Sequence, residues 1–250
     1  MLNYPDLNIP VFIDMTMRNE YDAITVCGYQ HIMGVMVEKY FRPTGQDINE
    51  LFKSGYSIAF LGAVTEIIKT PVPLEKLTCK MSLTDVSGPI ARFDLGIYNS
   101  KDELSFVSVV YMGVFNMESR HLLKDPSQIL NFDYFNKGPR LIEADSRKEF
   151  NYDTFQYAGS FTIRASYIDA SGHTDNLRYV EMIYDVLPKR FRQNMSSLKR
   201  FEIYYHHETV LDEKIEMRLL EKDNSVTVIG IKDNGVIAFT SLTVLSAMTK

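Results

Sequence analysis

The sequence lacks the features of several protein classes. Its 250 residues include two cysteines, Cys27 and Cys79, which are too few for a disulfide framework or a cysteine metal cluster. We therefore expect both to pack in a core, in a reducing compartment. A basic excess is also missing, since the net charge is −5. This balance argues against a general nucleic-acid binder, because a phosphate backbone attracts a basic surface.

Long apolar stretches are missing as well. The longest run without Asp, Glu, Lys or Arg is Asn234–Thr249, which contains several Thr and Ser and is shorter than the roughly 20 apolar residues of a membrane helix. Pro5, Asp6 and Pro10 stand where a signal peptide would have an apolar block. With 45% hydrophobic and 24% charged residues, the chain can bury an ordinary globular core. We expect a cytoplasmic protein without a membrane span.

The chain contains two similar halves. Four short segments recur in the same order with nearly constant spacing, which indicates a duplicated unit although each pair alone is weak. The pairs are Thr16–Tyr21 with Thr162–Tyr167, Glu66–Ile67 with Glu202–Ile203, Glu75–Leu77 with Glu213–Ile215, and Leu95–Ile97 with Ile229–Ile231. The first copy covers about 10–118 and the second about 156–250.

Each copy predicts a strand, a helix and then four strands. In the first copy these are Val11–Arg18, an apolar helix through Ile32–Phe41, Ser57–Lys69, Leu77–Val86, Ala91–Tyr98 and Leu104–Phe115. In the second they are Gly159–Tyr167, Asp175–Leu187, Leu198–Glu208, Lys214–Glu221, Ser225–Lys232 and Val236–Leu245. The first helix is apolar nearly all round, so a sheet should bury it, and short turns make that sheet antiparallel. We predict an α+β chain with an N-terminal unit 1–118, a surface connector 119–155 and a C-terminal unit 156–250.

One run carries a family resemblance. Tyr167–Tyr179 contains an Asp, a Gly-His pair and an Asn-x-x-Tyr sequence, and it resembles the hot-dog thioesterase signature that leads into the central helix. The tandem layout and Phe201–Thr209 resemble the acyl-acyl carrier protein (acyl-ACP) thioesterases more closely. The resemblance implies a tandem hot-dog fold, each sheet wrapped around a buried helix. It also implies release of a fatty acid from acyl-ACP or acyl-CoA without a cofactor, with the first unit helping to house the acyl chain.

The chain departs from this family at three points. Ser171 stands where the family usually has Asn, and Thr209 where plant members often have Cys. Tryptophan is absent, and Met182 stands where the family's second helix usually carries one. Because the second copy contains no cysteine, we favour a water activated by a carboxylate over a covalent cysteine intermediate.

The resemblance assigns roles to the second copy. Asp169 and Glu208 would face one pocket, one as general base and the other as its orienting partner, with burial beside a like charge raising one pKa. His173 would orient the thioester or the water, and Ser171 would donate a hydrogen bond. Backbone N–H groups around His173–Asp175 would stabilise the oxyanion at a helix N-terminus. The predicted substrate-binding residues are Asp175, Asn176, Tyr179, Thr209 and Arg190.

The residues alone allow plainer interpretations. Asp169 could be a turn residue, His173 a structural polar group, Glu208 a solvated strand residue and Asp175 a helix cap. Strand alternation places His206 on the same face as Glu208, which with His173 suggests a metal. The spacing fits no zinc signature, so no metal site is predicted.

The remaining predictions concern partners. A basic cluster follows the second helix and would attract an acidic carrier protein or coenzyme A phosphates, unless it is a solvated loop. Its members are Lys189, Arg190, Arg192, Lys199 and Arg200. Exposed sheet edges leave a homodimer open.

We expect one site per chain, because the first copy has Ala23–Cys27 where the second has Asp169 and His173. Two other functions fit the sequence: a non-catalytic acyl-thioester binder, and a hot-dog 3-hydroxyacyl dehydratase or hydratase.

Overall fold

The computed structural model describes residues 12–46, 48–148, 152 and 154–247. Its helices are α1 (Val26–Phe41), α2 (Ile48–Lys53), α3 (Asn176–Val186) and α4 (Lys189–Gln193). Its strands are β1 (Tyr56–Ile67), β2 (Thr78–Ser87), β3 (Ile90–Tyr98), β4 (Leu104–Asn116), β5 (His121–Leu122), β6 (Gln156–Thr162), β7 (Leu198–Tyr205), β8 (Lys214–Glu221), β9 (Ser225–Lys232) and β10 (Ile237–Leu245). In this part of the chain, no helix is both long and apolar enough to cross a membrane.

The chain forms two compact units. The first contains Ile32–Ala144, and the second combines Asp14–His31 with Asp145–Lys250. In the first unit the antiparallel strand order is β2-β3-β4-β1, and β5 pairs with β4. In the second the order is β6-β8-β9-β10-β7.

Each unit buries one helix, as the sequence predicts. Ile32, Met33 and Met36 of α1 are almost fully buried, and Phe41 lies 5.6 Å from Phe93 and 4.8 Å from Phe135 between ring centroids. This aromatic cluster forms part of the core of the first unit, where apolar surface is removed from water.

In the second unit α3 buries Tyr179, Val180, Met182 and Ile183. The Tyr179 ring makes edge contacts with Phe239 at 5.2 Å and Tyr205 at 5.5 Å. The helix that follows the predicted signature is therefore fixed on its sheet from its first turn onward.

The predicted first strand of each copy is wrong in part. Val11 lies outside the described residues, and Met15–Met17 form a 3-10 turn instead of a strand. Asp14 caps this turn, since its carboxylate accepts the N–H and the hydroxyl of Thr16 at 2.8 and 2.6 Å. In the second copy the strand ends at Thr162, and Ala165–Tyr167 form the corresponding 3-10 turn.

The other eight strands are confirmed to within about two residues, with one correction that affects the site. β7 ends at Tyr205, so Glu208 does not lie on a strand. The N–H groups of His206 and His207 both donate to the carbonyl of Ala238, which stops the regular ladder. The expected shared face of His206 and Glu208 is therefore wrong.

The two 3-10 turns also correct the alignment of the repeats. After them, the bridge Arg18↔Ile24 corresponds to the bridge Ile168↔Thr174. The loop 19–23 is thus the counterpart of 169–173, and the pairing of Thr16–Tyr21 with Thr162–Tyr167 is out of register.

Candidate active site

The loop Asp169–His173 is organised by one carboxylate oxygen. Asp169 Oδ1 accepts the N–H of Ser171 at 2.7 Å, the hydroxyl of Ser171 at 2.6 Å and the N–H of His173 at 3.3 Å. The N–H of Asp169 donates to the carbonyl of His173 at 2.8 Å and closes the loop. Gly172 adopts a φ of 79°, a conformation that glycine takes without strain. Asp169 is therefore a turn residue, whatever further role it has.

Side chains continue from this loop to Glu208. The hydroxyl oxygen of Ser171 lies 3.1 Å from Nδ1 of His173, and Nε2 of His173 forms an ion pair with the Glu208 carboxylate. The His173 side chain is 14% exposed and the Glu208 side chain 46% exposed. All four predicted catalytic residues are thus connected in the order Asp169, Ser171, His173, Glu208, with the last one open to solvent.

The directions of these hydrogen bonds place a proton on Nδ1 of His173. Because the Ser171 hydroxyl donates to Asp169, its oxygen is left to accept a proton from Nδ1 of His173. Nε2 of His173 faces the Glu208 carboxylate at ion-pair distance, so a proton on Nε2 would be stabilised by the opposite charge.

The residue after Glu208 is tied to the loop by hydroxyl groups. Thr209 is fully buried, and its Oγ1 lies 2.6 Å from Oγ1 of Thr174 and 2.8 Å from the phenol oxygen of Tyr179. The N–H of Thr209 donates to that phenol oxygen at 3.1 Å, and Thr174 gives both its N–H and its hydroxyl to the carbonyl of Thr209 at 3.0 Å. Burial outweighs these hydrogen bonds and raises the pKa of Tyr179, so its phenol remains protonated.

A second set of contacts holds the same segment from the other side. Nζ of Lys232 donates to the carbonyl of Glu208 at 3.0 Å and pairs with Oε1 of Glu213 at 2.8 Å. Oε2 of Glu213 accepts the N–H of Val210 at 3.0 Å. Sequence reasoning missed Thr174, Lys232 and Glu213 as site residues. The recurrence of Glu75 at Glu213 was the one signal in the sequence that pointed to this region.

The start of α3 supports the plainer interpretation of Asp175 as a helix cap and corrects the expected oxyanion donors. Asp175 caps the helix by accepting the N–H of Leu177 at 2.9 Å, and burial, reinforced by the charge of Asp169, raises its pKa. The expected oxyanion donors, however, already have partners. The N–H groups of His173, Thr174 and Asp175 donate to Asp169, Thr209 and Tyr167. Asn176, the first residue of the helix, remains as the candidate donor, because the N–H at this position needs no intrahelical partner.

The arginines of the basic cluster are matched by acids. Arg190 pairs with Glu221 and also donates to the carbonyls of Lys222 and Asp223, both at 2.7 Å. Arg200 Nε lies 2.7 Å from buried Glu202. Arg192 likewise faces Glu20 at 3.7 Å, which leaves Lys189 and Lys199 as the exposed cations of the cluster. The surface is thus less basic than the sequence suggests.

The histidines after β7 have protein partners. Nε2 of His206 lies 3.1 Å from the Thr240 hydroxyl, and Nδ1 of His207 lies 2.9 Å from the carbonyl of Ile237. Burial lowers the pKa of His206. Across the described ranges, no group of three or more His, Cys, Asp or Glu side chains is arranged to hold a metal ion.

Comparison with known proteins shows what this chain is similar to. Residues 151–236 match the family model of the acyl-ACP thioesterase C-terminal domain. A crystal structure of an acyl-ACP thioesterase from Bacteroides thetaiotaomicron superposes with a TM-score of 0.82 at 18% identity, over 95% of this chain and 96% of the other. The 12:0-ACP thioesterase from Umbellularia californica gives 0.83 at 14% identity, over 96% of both chains. No curated protein sequence matches.

The family model bears out the predicted resemblance and the thioester hydrolase class, and the solved structures confirm the double hot-dog fold class. The site described above lies within the matched region, and the fold similarity extends over both copies. Residues 151–236 thus resemble the C-terminal domain of the acyl-ACP thioesterases, and the chain shares the fold of solved acyl-ACP thioesterases over nearly its whole length.

Proposed function

We propose that the protein hydrolyses an acyl-ACP thioester and that Glu208 activates the attacking water. The observation that carries the proposal is the connection from Asp169 through Ser171 and His173 to Glu208. It ends in a half-exposed carboxylate beside the imidazole of His173, which places a candidate base next to a candidate acid.

Glu208 fits the role of base better than Asp169. One oxygen of Asp169 already accepts three hydrogen bonds, two of them from the loop backbone. Glu208 lies in a loop with its side chain 46% exposed, so a water can reach it. Asp169 then acts through Ser171, holding the imidazole of His173 in orientation.

In the proposed reaction, Glu208 is the base and His173 is the acid. A water oxygen attacks the thioester carbonyl carbon while Glu208 takes the water proton. The backbone N–H of Asn176, at the N-terminus of α3, donates to the oxyanion. When the carbon–sulfur bond breaks, His173 gives its Nε2 proton to the leaving thiolate, and the proton on Glu208 passes to His173 across their contact. The acyl group leaves as a carboxylic acid, which ionises and releases one proton.

We further propose that the first unit receives the end of the acyl chain. Supporting this, it contains a small apolar cavity, about 210 Å³ including open solvent, whose lining includes Phe41, Ile58, Phe93, Met112 and Leu130. Apolar lining of this kind accepts hydrocarbon without leaving polar groups unsatisfied. Substituting Met112 by Ala should raise the relative rate on longer acyl chains, whereas an unchanged chain-length profile would contradict the assignment.

The deciding experiment measures thiol release from acyl-ACP and acyl-CoA substrates of graded chain length. Wild type is compared with Glu208→Gln and with Glu216→Gln, a control that removes a carboxylate of similar exposure (41%) on β8. General-base catalysis is worth 10²–10⁴-fold, so we expect kcat to fall by about 10³-fold in Glu208→Gln and to change little in Glu216→Gln. Higher kcat/KM on ACP than on CoA substrates would identify the carrier.

Three outcomes would contradict the proposal. Full activity in Glu208→Gln would exclude the assigned base. Binding of a non-hydrolysable acyl thioester without release from any substrate would indicate an acyl-thioester binder. Conversion of a 3-hydroxyacyl substrate to the enoyl thioester, without thiol release, would indicate a dehydratase.

A further inference from the structure

The hydroxyl groups around Thr209 form a closed ring. The Thr174 hydroxyl gives its proton to the carbonyl of Thr209, so its Oγ1 accepts the Thr209 hydroxyl proton. Thr209 Oγ1 then has no proton left for Tyr179, so the phenol donates to it while accepting the Thr209 N–H. Each of the three hydroxyl protons is used once within this buried ring.

This ring joins the two residues of the proposed acid–base pair. Thr209 directly follows Glu208, and Thr174 directly follows His173. Since β7 has already ended at Tyr205, no strand ladder fixes the backbone at Glu208. The ring and the bond from Thr174 N–H to Thr209 carbonyl therefore set the distance between the segments that carry the carboxylate and the imidazole.

We infer that Thr209, with Thr174 and Tyr179, is a positioning device that holds Glu208 against His173, and that it neither binds substrate nor acts as a nucleophile. This inference deepens the proposed function and depends on it. It replaces the predicted substrate-binding role of Thr209 and Tyr179 with a role inside the protein.

Burial and proton directions both argue for this assignment. The side chain of Thr209 has no exposed surface, and Tyr179 and Thr174 are almost fully buried. A nucleophilic hydroxyl needs a base to take its proton, but the Thr209 proton is donated to Thr174 and no carboxylate or imidazole bonds to Oγ1 of Thr209 in the described part of the chain. Buried, fully satisfied networks of this kind fix one geometry, because an unpaired member would be costly.

The test compares four variants in steady-state hydrolysis: Thr209→Val, Thr209→Ser, Tyr179→Phe and, as a matched control, Tyr29→Phe. Tyr29 is a buried tyrosine at the corresponding turn of α1. Valine keeps the shape of Thr209 but removes its hydroxyl, and serine keeps the hydroxyl. Since misplacement of a catalytic group by about 1 Å costs about 10²-fold, we expect kcat of Thr209→Val to fall up to 100-fold with KM within twofold.

The other variants distinguish loss of the hydroxyl ring from a general loss of packing. Thr209→Ser should recover kcat to within about threefold of wild type, and Tyr29→Phe should leave kcat within twofold. Tyr179→Phe should lower kcat like Thr209→Val, and the double variant should lose no more than the worse single one, because both break the same ring. The pH profile of kcat should shift in Thr209→Val, since the titration of a coupled acid and base depends on their separation.

Four results would overturn the inference. A raised KM with unchanged kcat in Thr209→Val would indicate substrate contact, and an acylated Thr209 trapped at short times would indicate a nucleophile. Wild-type kcat in folded Thr209→Val, alongside collapse of Glu208→Gln, would reject the ring while leaving the proposed function intact. If the pH profile is unchanged and the loss of kcat follows only the folded fraction measured by circular dichroism, the ring is merely structural.

Discussion

The loops 19–23 and 169–173 share one backbone but not one chemistry. In each, the first residue closes the loop by donating its N–H to the carbonyl of the fifth, at 2.9 Å in the first copy and 2.8 Å in the second. Oδ1 of Asn19 accepts the N–H groups of Tyr21 and Ala23, both at 3.0 Å, just as Asp169 accepts those of Ser171 and His173. A side-chain carbonyl oxygen is therefore sufficient to build the loop, and the charge of Asp169 is available for another purpose.

The counterpart of Glu208 can be located in the same way. The N–H groups of Ile68 and Lys69 both donate to the carbonyl of Ser105, as those of His206 and His207 do to Ala238. Thr70 then occupies the position of Glu208, and Pro71 that of Thr209. The first copy has thus kept the backbone of the site while lacking its carboxylates, its imidazole and its hydroxyl ring.

The largest loss of activity is expected when the last residue of the loop 169–173, His173, is replaced by its counterpart in the loop 19–23. His173→Ala reproduces Ala23, so the loop should fold while the imidazole is lost. We expect kcat to fall by 10²–10³-fold, within the range for loss of a general acid, with a thermal midpoint within a few degrees of wild type. A collapse of the folded state would show that the two loops are less alike than their hydrogen bonds indicate.

A smaller loss of activity is expected when the first residue of the same loop, Asp169, is exchanged. Asp169→Asn reproduces Asn19 and keeps the acceptor for the loop backbone, but it removes the charge opposite the Ser171–His173 pair. We expect kcat to fall by about 10-fold, clearly less than in Glu208→Gln, with no loss of stability by circular dichroism. Equal losses in the two variants would make Asp169 an equal candidate for the base.

Glu75 and Glu213 occupy equivalent positions in the two copies and allow a matched comparison. Glu213 accepts the N–H of Val210 at 3.0 Å and Glu75 that of Val72 at 3.1 Å, so the corresponding Gln variants disturb equivalent turns. Glu213→Gln also weakens the ion pair with Lys232, which holds the carbonyl of Glu208. We expect kcat to drop three- to tenfold in Glu213→Gln and to stay within twofold in Glu75→Gln. Equal kcat values in Glu213→Gln and Glu75→Gln would show that Lys232 does not help to position Glu208.

The smallest effect concerns stability. The first copy caps its helix with neutral Thr25, whose Oγ1 accepts the N–H of Gly28 at 3.0 Å, whereas the second uses Asp175. Burial raises the folded-state pKa of Asp175 above its unfolded value, so its charge lowers stability at pH above the folded pKa, and this penalty vanishes as pH falls below the unfolded pKa. Asn caps as well as Asp.

Asp175→Asn should therefore raise the thermal midpoint at pH 7 and lose that advantage toward pH 3, measured by scanning calorimetry. A lower midpoint at pH 7 would mean that the charge of Asp175 stabilises the start of α3. In that case Asp would stabilise the start of α3 more than Asn at position 175.

The sequence predicts the meander strands and buried helices because their apolar periodicity and turn residues are local signals. The candidate catalytic residues come from the resemblance around Asp169 and His173, and their roles stay a prediction. The sequence places Glu208 on a strand wrongly, because the end of β7 is decided by a carbonyl of another strand, Ala238. The roles of Lys232 and Thr174 could not be predicted, since they arise from contacts between segments far apart in the chain.

The closed ring around Thr209 has a consequence for proton exchange. A hydroxyl proton usually exchanges with water faster than it can be resolved by NMR, but here each is held by an acceptor in a site without exposed surface at Thr209. The hydroxyl resonances of Thr174, Thr209 and Tyr179 should therefore persist as separate signals, and their exchange lifetimes would report how often this part of the protein opens.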